Sequence, residues 1–229
     1  MIRVLIADDE DLMRAGLAEL LSSDATIEVV GQASTGNTAV HEAVRLRPEV
    51  VLMDVRMSDM DGITATEELA RVAPQSKVVI LTTFEDDDYI FRSLRAGASG
   101  FLLKRTRPED LIAAVHAVAA GDSLLSPSVT RRVIDRMASQ PSPDVSGNST
   151  VGALTQRERQ VLELVARGLS NREIASALVV EVSTIRTHVK RTLMKLGLRD
   201  RVQAVIFAYE TGVTRPGSVV PAAEPTASR

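Results

Sequence analysis

No cysteine and no tryptophan occur among the 229 residues, and the aromatic side chains amount to four Phe and two Tyr. The first absence excludes disulfides and thiolate metal sites and fits a reducing compartment. The second leaves an aliphatic core as the only kind available. Long apolar runs are missing too, and Met1-Ile2-Arg3 lacks the layout of a signal peptide, so a cytoplasmic protein with no membrane partner is expected. A large excess of one charge is also absent, the net charge being −3, yet that balance conceals a division. Residues 1–122 carry 21 acidic side chains against 12 basic ones, whereas residues 150–215 carry 6 against 11. An acidic half that can hold a cation is joined to a basic half that can hold a polyanion.

What is present is a set of short β-branched runs that alternate with helical patterns over the first 120 or so residues. Strands are expected near 2–7, 27–31, 50–53, 77–81 and 100–103, with helices near 10–21, 37–46, 62–72, 87–96 and 107–120. Strict alternation of this kind predicts an α/β doubly wound, five-stranded parallel sheet of flavodoxin-like type over residues 1–122. Thr106 and Glu109, with Pro108 between them, have the spacing of a capping box for the last of these helices.

Residues 123–151 read as a linker with a helix near 126–137, followed by a stretch rich in Ser, Pro, Gly and Asn that serves as a tether. Residues 152–213 then form a small all-α domain of four helices, and residues 214–229 are expected to be disordered. Capping boxes at Thr155/Glu158 and Ser170/Glu173, a similar pair at Asp200/Gln203, and terminal glycines Gly168 and Gly197 mark the helix ends. The third of these helices, near 182–196, sorts Ile185, Val189, Leu193 and Leu196 onto an inward stripe. Arg186, Thr187, Lys190, Arg191 and Met194 lie on the opposite arc. Following a short turn and another capped helix, this is a helix-turn-helix whose second member enters the major groove of double-stranded DNA. Long cations on this arc can reach guanine edges or phosphates, and the family resemblance given below points to Arg186, Thr187 and Lys190 for the groove, leaving Arg191, Lys195 and Arg172 for phosphates. In the fourth helix, Ala204, Ala208 and Val205 share a stripe that serves either packing within the domain or a dimer contact.

Chemistry in the first half gathers where the strands end. Asp8 and Asp9 follow the first strand, Asp54 the third, Thr82 closes the fourth, and Lys104 follows the fifth. Parallel strands bring those ends to one edge of the sheet, the edge at which open α/β folds place their sites. Singly, Asp8 or Asp9 could cap a helix and Lys104 could be a solvated charge; together they make a site. Three carboxylates call for a hard divalent cation, and oxygen ligands with few dedicated contacts suit Mg²⁺. Asp54 is the candidate nucleophile toward a phosphoryl group, Asp9 and Asp54 the direct metal ligands, and Asp8 a ligand through water. Thr82 and Lys104 are placed to hold phosphoryl oxygens.

In these residues the chain resembles bacterial two-component response regulators of the NarL/FixJ family, which join a receiver domain to a LuxR-type helix-turn-helix domain. The resemblance implies that Asp54 is the phospho-acceptor, that Thr82 and Phe101 form the switch, and that the backbone carbonyl of Arg56 is a further metal ligand. It implies a sensor histidine kinase as phosphoryl donor, a DNA operator, homodimer formation on phosphorylation, and RNA polymerase as a further candidate partner. Ser58 stands where receivers commonly have Pro, and Arg105 stands where many have Pro after the lysine, so loop geometry and phosphate lifetime are where this chain should differ. A Mg²⁺-dependent aspartyl phosphatase is the enzymatic alternative, but such enzymes carry an acid two positions after the nucleophile, where this chain has Arg56. A receiver that works without phosphorylation is the other, and the intact acidic set speaks against it. The chain is therefore expected not to be an enzyme.

Overall fold

The computed structural model describes residues 1–83, 87–121 and 151–214. The linker helix expected near 126–137, the tether and the terminal tail lie outside the described residues.

The first domain runs β1 (Ile2–Ala7), α1 (Asp11–Ser22), β2 (Ile27–Ala33), α2 (Gly36–Leu46), β3 (Val50–Met53), α3 (Gly62–Val72), β4 (Lys77–Thr82), α4 (Asp87–Arg95), β5 (Gly100–Leu103) and α5 (Pro108–Ala119). All five strands are parallel, in the order β2-β1-β3-β4-β5. Period-two alternation sends successive side chains to opposite faces. Leu5, Val51, Met53, Val78, Ile80 and Phe101 join the cluster formed with α2, α3 and α4. Val4, Ile6, Val50, Leu52, Val79 and Leu81 join the cluster formed with α1 and α5. Both faces are covered, as a parallel sheet requires, and each fully buried aliphatic side chain contributes roughly 1.5–3 kcal/mol.

Local signals place the helix starts. Thr35 and Thr38 form a capping box for α2, and Asp61 accepts from the Thr64 amide at 2.7 Å to start α3. The box expected from Thr106 does not form. Pro108 occupies the first turn of α5, and the residue before a proline is driven to extended backbone, so Arg107 (ψ 148°) becomes the N-cap and makes no side-chain cap.

The second domain begins with a 3₁₀ turn at Val151–Ala153, followed by α6 (Gln156–Ala166), α7 (Asn171–Leu178), α8 (Val182–Leu196) and α9 (Arg201–Glu210). Thr155 and Ser170 make the expected boxes, and Asp200 accepts from the Gln203 amide at 3.0 Å. Gly197 ends α8 in the left-handed conformation (φ 66°). The stripe Ala204, Val205 and Ala208 is buried with Val161, Leu162 and Val165 of α6, so small side chains let α9 approach α6 within one domain. In α8 the buried positions are Ile185, Thr192 and Leu196, while Val189 and Leu193 are only partly covered. Among the described residues no helix is long and apolar enough to cross a membrane.

The two domains touch. Val202 and Ile206 of α9 belong to the same buried cluster as Ile90, Leu94, Ala98 and Phe101 of the first domain.

Candidate functional site

The carboxyl edge of the sheet brings together the side chains that the strand ends announce. Oxygen atoms of Asp8, Asp9 and Asp54 all lie within 4.8 Å of one another. Asp8 and Asp54 are buried and Asp9 is exposed. The Lys104 ammonium reaches across from β5 to Asp8 Oδ2 at 2.8 Å and Asp54 Oδ2 at 3.1 Å. Glu10, at 3.5 Å, completes a ring of three carboxylates around it.

Backbone contacts fix Asp54. The Asp54 amide donates to the Ala7 carbonyl at 2.8 Å, tying the end of β3 to the end of β1, and Asp54 Oδ1 accepts from the Val55 amide at 2.7 Å. Gly62, the first residue of α3, packs directly on the Asp54 carbonyl, and a Cβ there would overlap that oxygen. The Gly of the Asp61-Gly62 turn is thus a requirement of close approach. Two residues not singled out from the sequence also organise the site. Arg14 Nη1 donates to the Asp8 carbonyl at 2.6 Å, and the Glu10 amide donates to Asp8 Oδ1 at 3.0 Å. Glu10 adjoins the acidic pair and was open to recognition, whereas Arg14 reaches Asp8 only because α1 turns back over the end of β1.

Burial pushes the Asp54 carboxyl above its ordinary value, and Lys104 only partly offsets this, with Asp8 adding repulsion. Burial also works against the Lys104 charge, but hydrogen bonds and charges from Asp8 and Asp54 outweigh it and hold the ammonium above its usual range. A site that strains to keep its carboxylates charged around one lysine has the donor set a hard divalent cation requires. A cleft of about 410 Å³ opens alongside, walled by Asp9, Arg56, Met57, Tyr89 and Arg92 among others, so Arg56 and Asp9 border the same mouth.

Thr82 is buried at the end of β4, and its carbonyl accepts from the Lys104 amide at 2.8 Å. Phe101 is buried on the α4 side of β5, in the cluster that includes Val202 and Ile206.

In the second domain Arg186, Thr187, Lys190 and Arg191 are exposed on α8, and Arg172 is exposed on α7. Thr187 Oγ1 donates back to the Ser183 carbonyl at 3.0 Å. Lys195 differs from expectation. Its ammonium is 2.7 Å from Glu158 Oε2, which also accepts from the Thr155 amide at 2.8 Å. Lys195 therefore secures α8 to the capped start of α6. Unlike α6, α7 and α9, helix α8 has no side-chain cap, its N-cap being Glu181. The preceding turn holds Val179, 89 % exposed, at a φ of 53° that a β-branched residue rarely adopts. Arg186, Val189, Lys190 and Leu193 line a cleft of about 430 Å³ whose other wall includes Ala120 and Gly121 at the end of α5. Val189 and Leu193 pack against the core of their own domain and also border that cleft, which leaves them only partly covered.

Known proteins carry the same combination. Residues 4–116 match the family described as the response regulator receiver domain, and residues 152–208 match the bacterial regulatory proteins of the luxR family. The response regulator protein VraR of Staphylococcus aureus is 39 % identical over 209 residues, covering 91 % of this chain and 97 % of VraR. The crystal structure of the response regulator ChrA, from a heme-sensing two-component system, is 35 % identical, covers 93 % of this chain and 98 % of its own, and superposes with a TM-score of 0.50. The structure of the RcsB–DNA complex is 26 % identical, covers 91 % and 98 %, and has a TM-score of 0.53.

Proposed function

This chain belongs to the DNA-binding response regulators that join a receiver domain to a LuxR-type helix-turn-helix domain, and from that membership we propose that phosphorylation of Asp54 by a sensor histidine kinase controls its dimerisation and its binding to an operator. The observation that carries the proposal is the meeting of Asp8, Asp9, Asp54 and Lys104 at one sheet edge. Asp9, Asp54 and the Arg56 carbonyl are the residues to hold Mg²⁺ directly, with Asp8 acting through water. Bound there, the cation offsets the repulsion between the acceptor and an incoming phosphoryl group.

An Asp54 oxygen attacks phosphorus; the new O–P bond forms as the P–N bond to the kinase histidine breaks, and the imidazole leaves. Lys104 transfers its hydrogen bonds from Asp54 to a phosphoryl oxygen, and the Thr82 hydroxyl donates to another. As Thr82 is drawn in, Phe101 follows, and the surface of β4, α4 and β5 changes shape. Coupling of this kind is on the order of 1–3 kcal/mol, enough to shift a population.

On DNA, Arg186, Thr187 and Lys190 read the major groove while Arg191 and Arg172 hold phosphates. Two copies present two such helices to paired half-sites, and at a promoter RNA polymerase is the further partner. The chain accepts a phosphoryl group as a signal and is not a catalyst of metabolite turnover.

Incubation with Mg²⁺ and acetyl phosphate tests this reading. A hydroxylamine-labile gain in mass, lost in Asp54→Ala, together with a change in oligomeric state is expected. Steady release of phosphate from a free metabolite would make the site a phosphatase instead.

A further inference from the structure

One face of α8 carries Ser183, Arg186, Thr187 and Lys190, which recur at intervals of three and four residues and are all exposed. Two of the four bear hydroxyls, and these differ in what they have left to give. Thr187 Oγ1 donates to the Ser183 carbonyl at 3.0 Å, folding back onto the preceding turn of its own helix. A threonine hydroxyl has a single proton to donate, and here it is spent inside the helix. Ser183 lies in the first turn of α8, and its own hydroxyl has no protein partner among the described residues. The Cβ of threonine bears one oxygen and one methyl group, so a rotamer that turns the oxygen onto the backbone leaves the methyl to meet whatever approaches.

The neighbours on this face sharpen the contrast. Arg186 and Lys190 are long donors, and in the major groove such side chains take the N7 and O6 acceptors of guanine. Between them Thr187 offers no free donor. Of the four bases only thymine presents an apolar group in that groove, its C5-methyl.

We propose that Thr187 is a specificity-determining residue of the DNA site and reads a thymine through its methyl group, its hydroxyl serving to lock the side chain onto the Ser183 carbonyl. Donating to a base would first break that bond, whereas packing methyl against methyl breaks nothing and removes apolar surface from water. The lock also restricts the side chain before DNA arrives, so less rotamer freedom is lost on binding. Each half-site then holds a thymine beside the bases taken by Arg186 and Lys190.

This inference rests on the placement of α8 in the major groove proposed above, and the experiment separates the two. The full chain, treated with Mg²⁺ and acetyl phosphate, enriches duplexes from a random library. Each thymine of the enriched motif is then replaced in turn by uracil, which lacks only the C5-methyl group. In the parent, one such replacement per half-site should weaken binding about fourfold, the worth of one buried methyl group. Thr187→Val keeps a methyl and deletes the hydroxyl; it should enrich the same motif and show the same loss with uracil. Thr187→Ser keeps the hydroxyl and deletes the methyl; it should bind thymine and uracil duplexes alike. The position is exposed, so neither change disturbs the core. Loss of the motif in Thr187→Val with its retention in Thr187→Ser would make the hydroxyl the reader, its lone pairs accepting from a base amino group, and would overturn the proposal. A parent motif whose thymines all tolerate uracil would overturn it too, while leaving α8 in the groove. A parent that enriches no motif removes the groove placement itself, and the proposal falls with it.

Discussion

The ammonium of Lys104 lies closer to Asp8, at 2.8 Å, than to the acceptor Asp54, at 3.1 Å. The lysine proposed to grip a phosphoryl group is thus held by a carboxylate of the acidic cluster, and a cation bound there would draw on the same negative charge as the ammonium. Replacing Lys104 with Met should tighten Mg²⁺ binding several-fold, because two buried carboxylates lose the ammonium that pairs with both. Calorimetric titration of Mg²⁺ into both proteins decides it; weaker binding by the variant would mean that the lysine organises the site rather than competing for it.

Gly62 carries a second expectation. Its Cα faces the Asp54 carbonyl with no room for a methyl group, so Gly62→Ala must displace either the start of α3 or the acceptor itself. A loss of about 1–3 kcal/mol in stability, as for other overpacked sites, should accompany slower modification by acetyl phosphate. Unchanged denaturant midpoint and modification rate would show that the turn adapts freely.

Two lysines of α8 should behave differently. Lys190 is exposed on the reading face, and Lys190→Ala should weaken specific operator binding by ~1–3 kcal/mol without touching stability. Lys195 is engaged with Glu158, and Lys195→Ala should lower the unfolding midpoint of the second domain. Equal effects of both substitutions on operator affinity at full stability would falsify the division of labour.

Glu158 sets a pH dependence. The Lys195 ammonium first, and then the Thr155 amide, hold its carboxyl down at about 2, below the ordinary 4.5. A lowered carboxyl contributes stability above the unfolded value and loses it as pH falls toward the folded one, so the second domain should weaken between about pH 4.5 and 2. Glu158→Gln should remove that part of the slope in denaturation curves collected across this window; parallel curves for parent and variant would show that the tie contributes nothing.

Much of this molecule is written in short-range pattern. Unbroken apolar runs such as Val50 to Met53 specify strands with two buried faces, and Thr155, Ser170 and Asp200 mark helix starts because capping depends on neighbours three residues away. Convergence of Asp8, Asp54 and Lys104 was also legible, since parallel strands must bring like ends to one edge. Where local signals competed, reading failed: Thr106 and Glu109 had the spacing of a cap, but Pro108 fixed the backbone and moved the start to Arg107.

What the chain order alone determined, then, is which segments form and which ends carry charge. Tertiary structure decided who covers whom. Periodicity says that Val202 and Ile206 need burial but not that the receiver supplies it, and a cation on α8 gives no sign that Lys195 will turn to Glu158. Likewise the Ser99 hydroxyl donates to Asp200 across a separation of 101 residues, and no local preference of either encodes the other. Such pairings arise only when two independently specified surfaces meet, because apolar burial is non-directional and the partner is chosen by shape and by which buried polar groups can be satisfied.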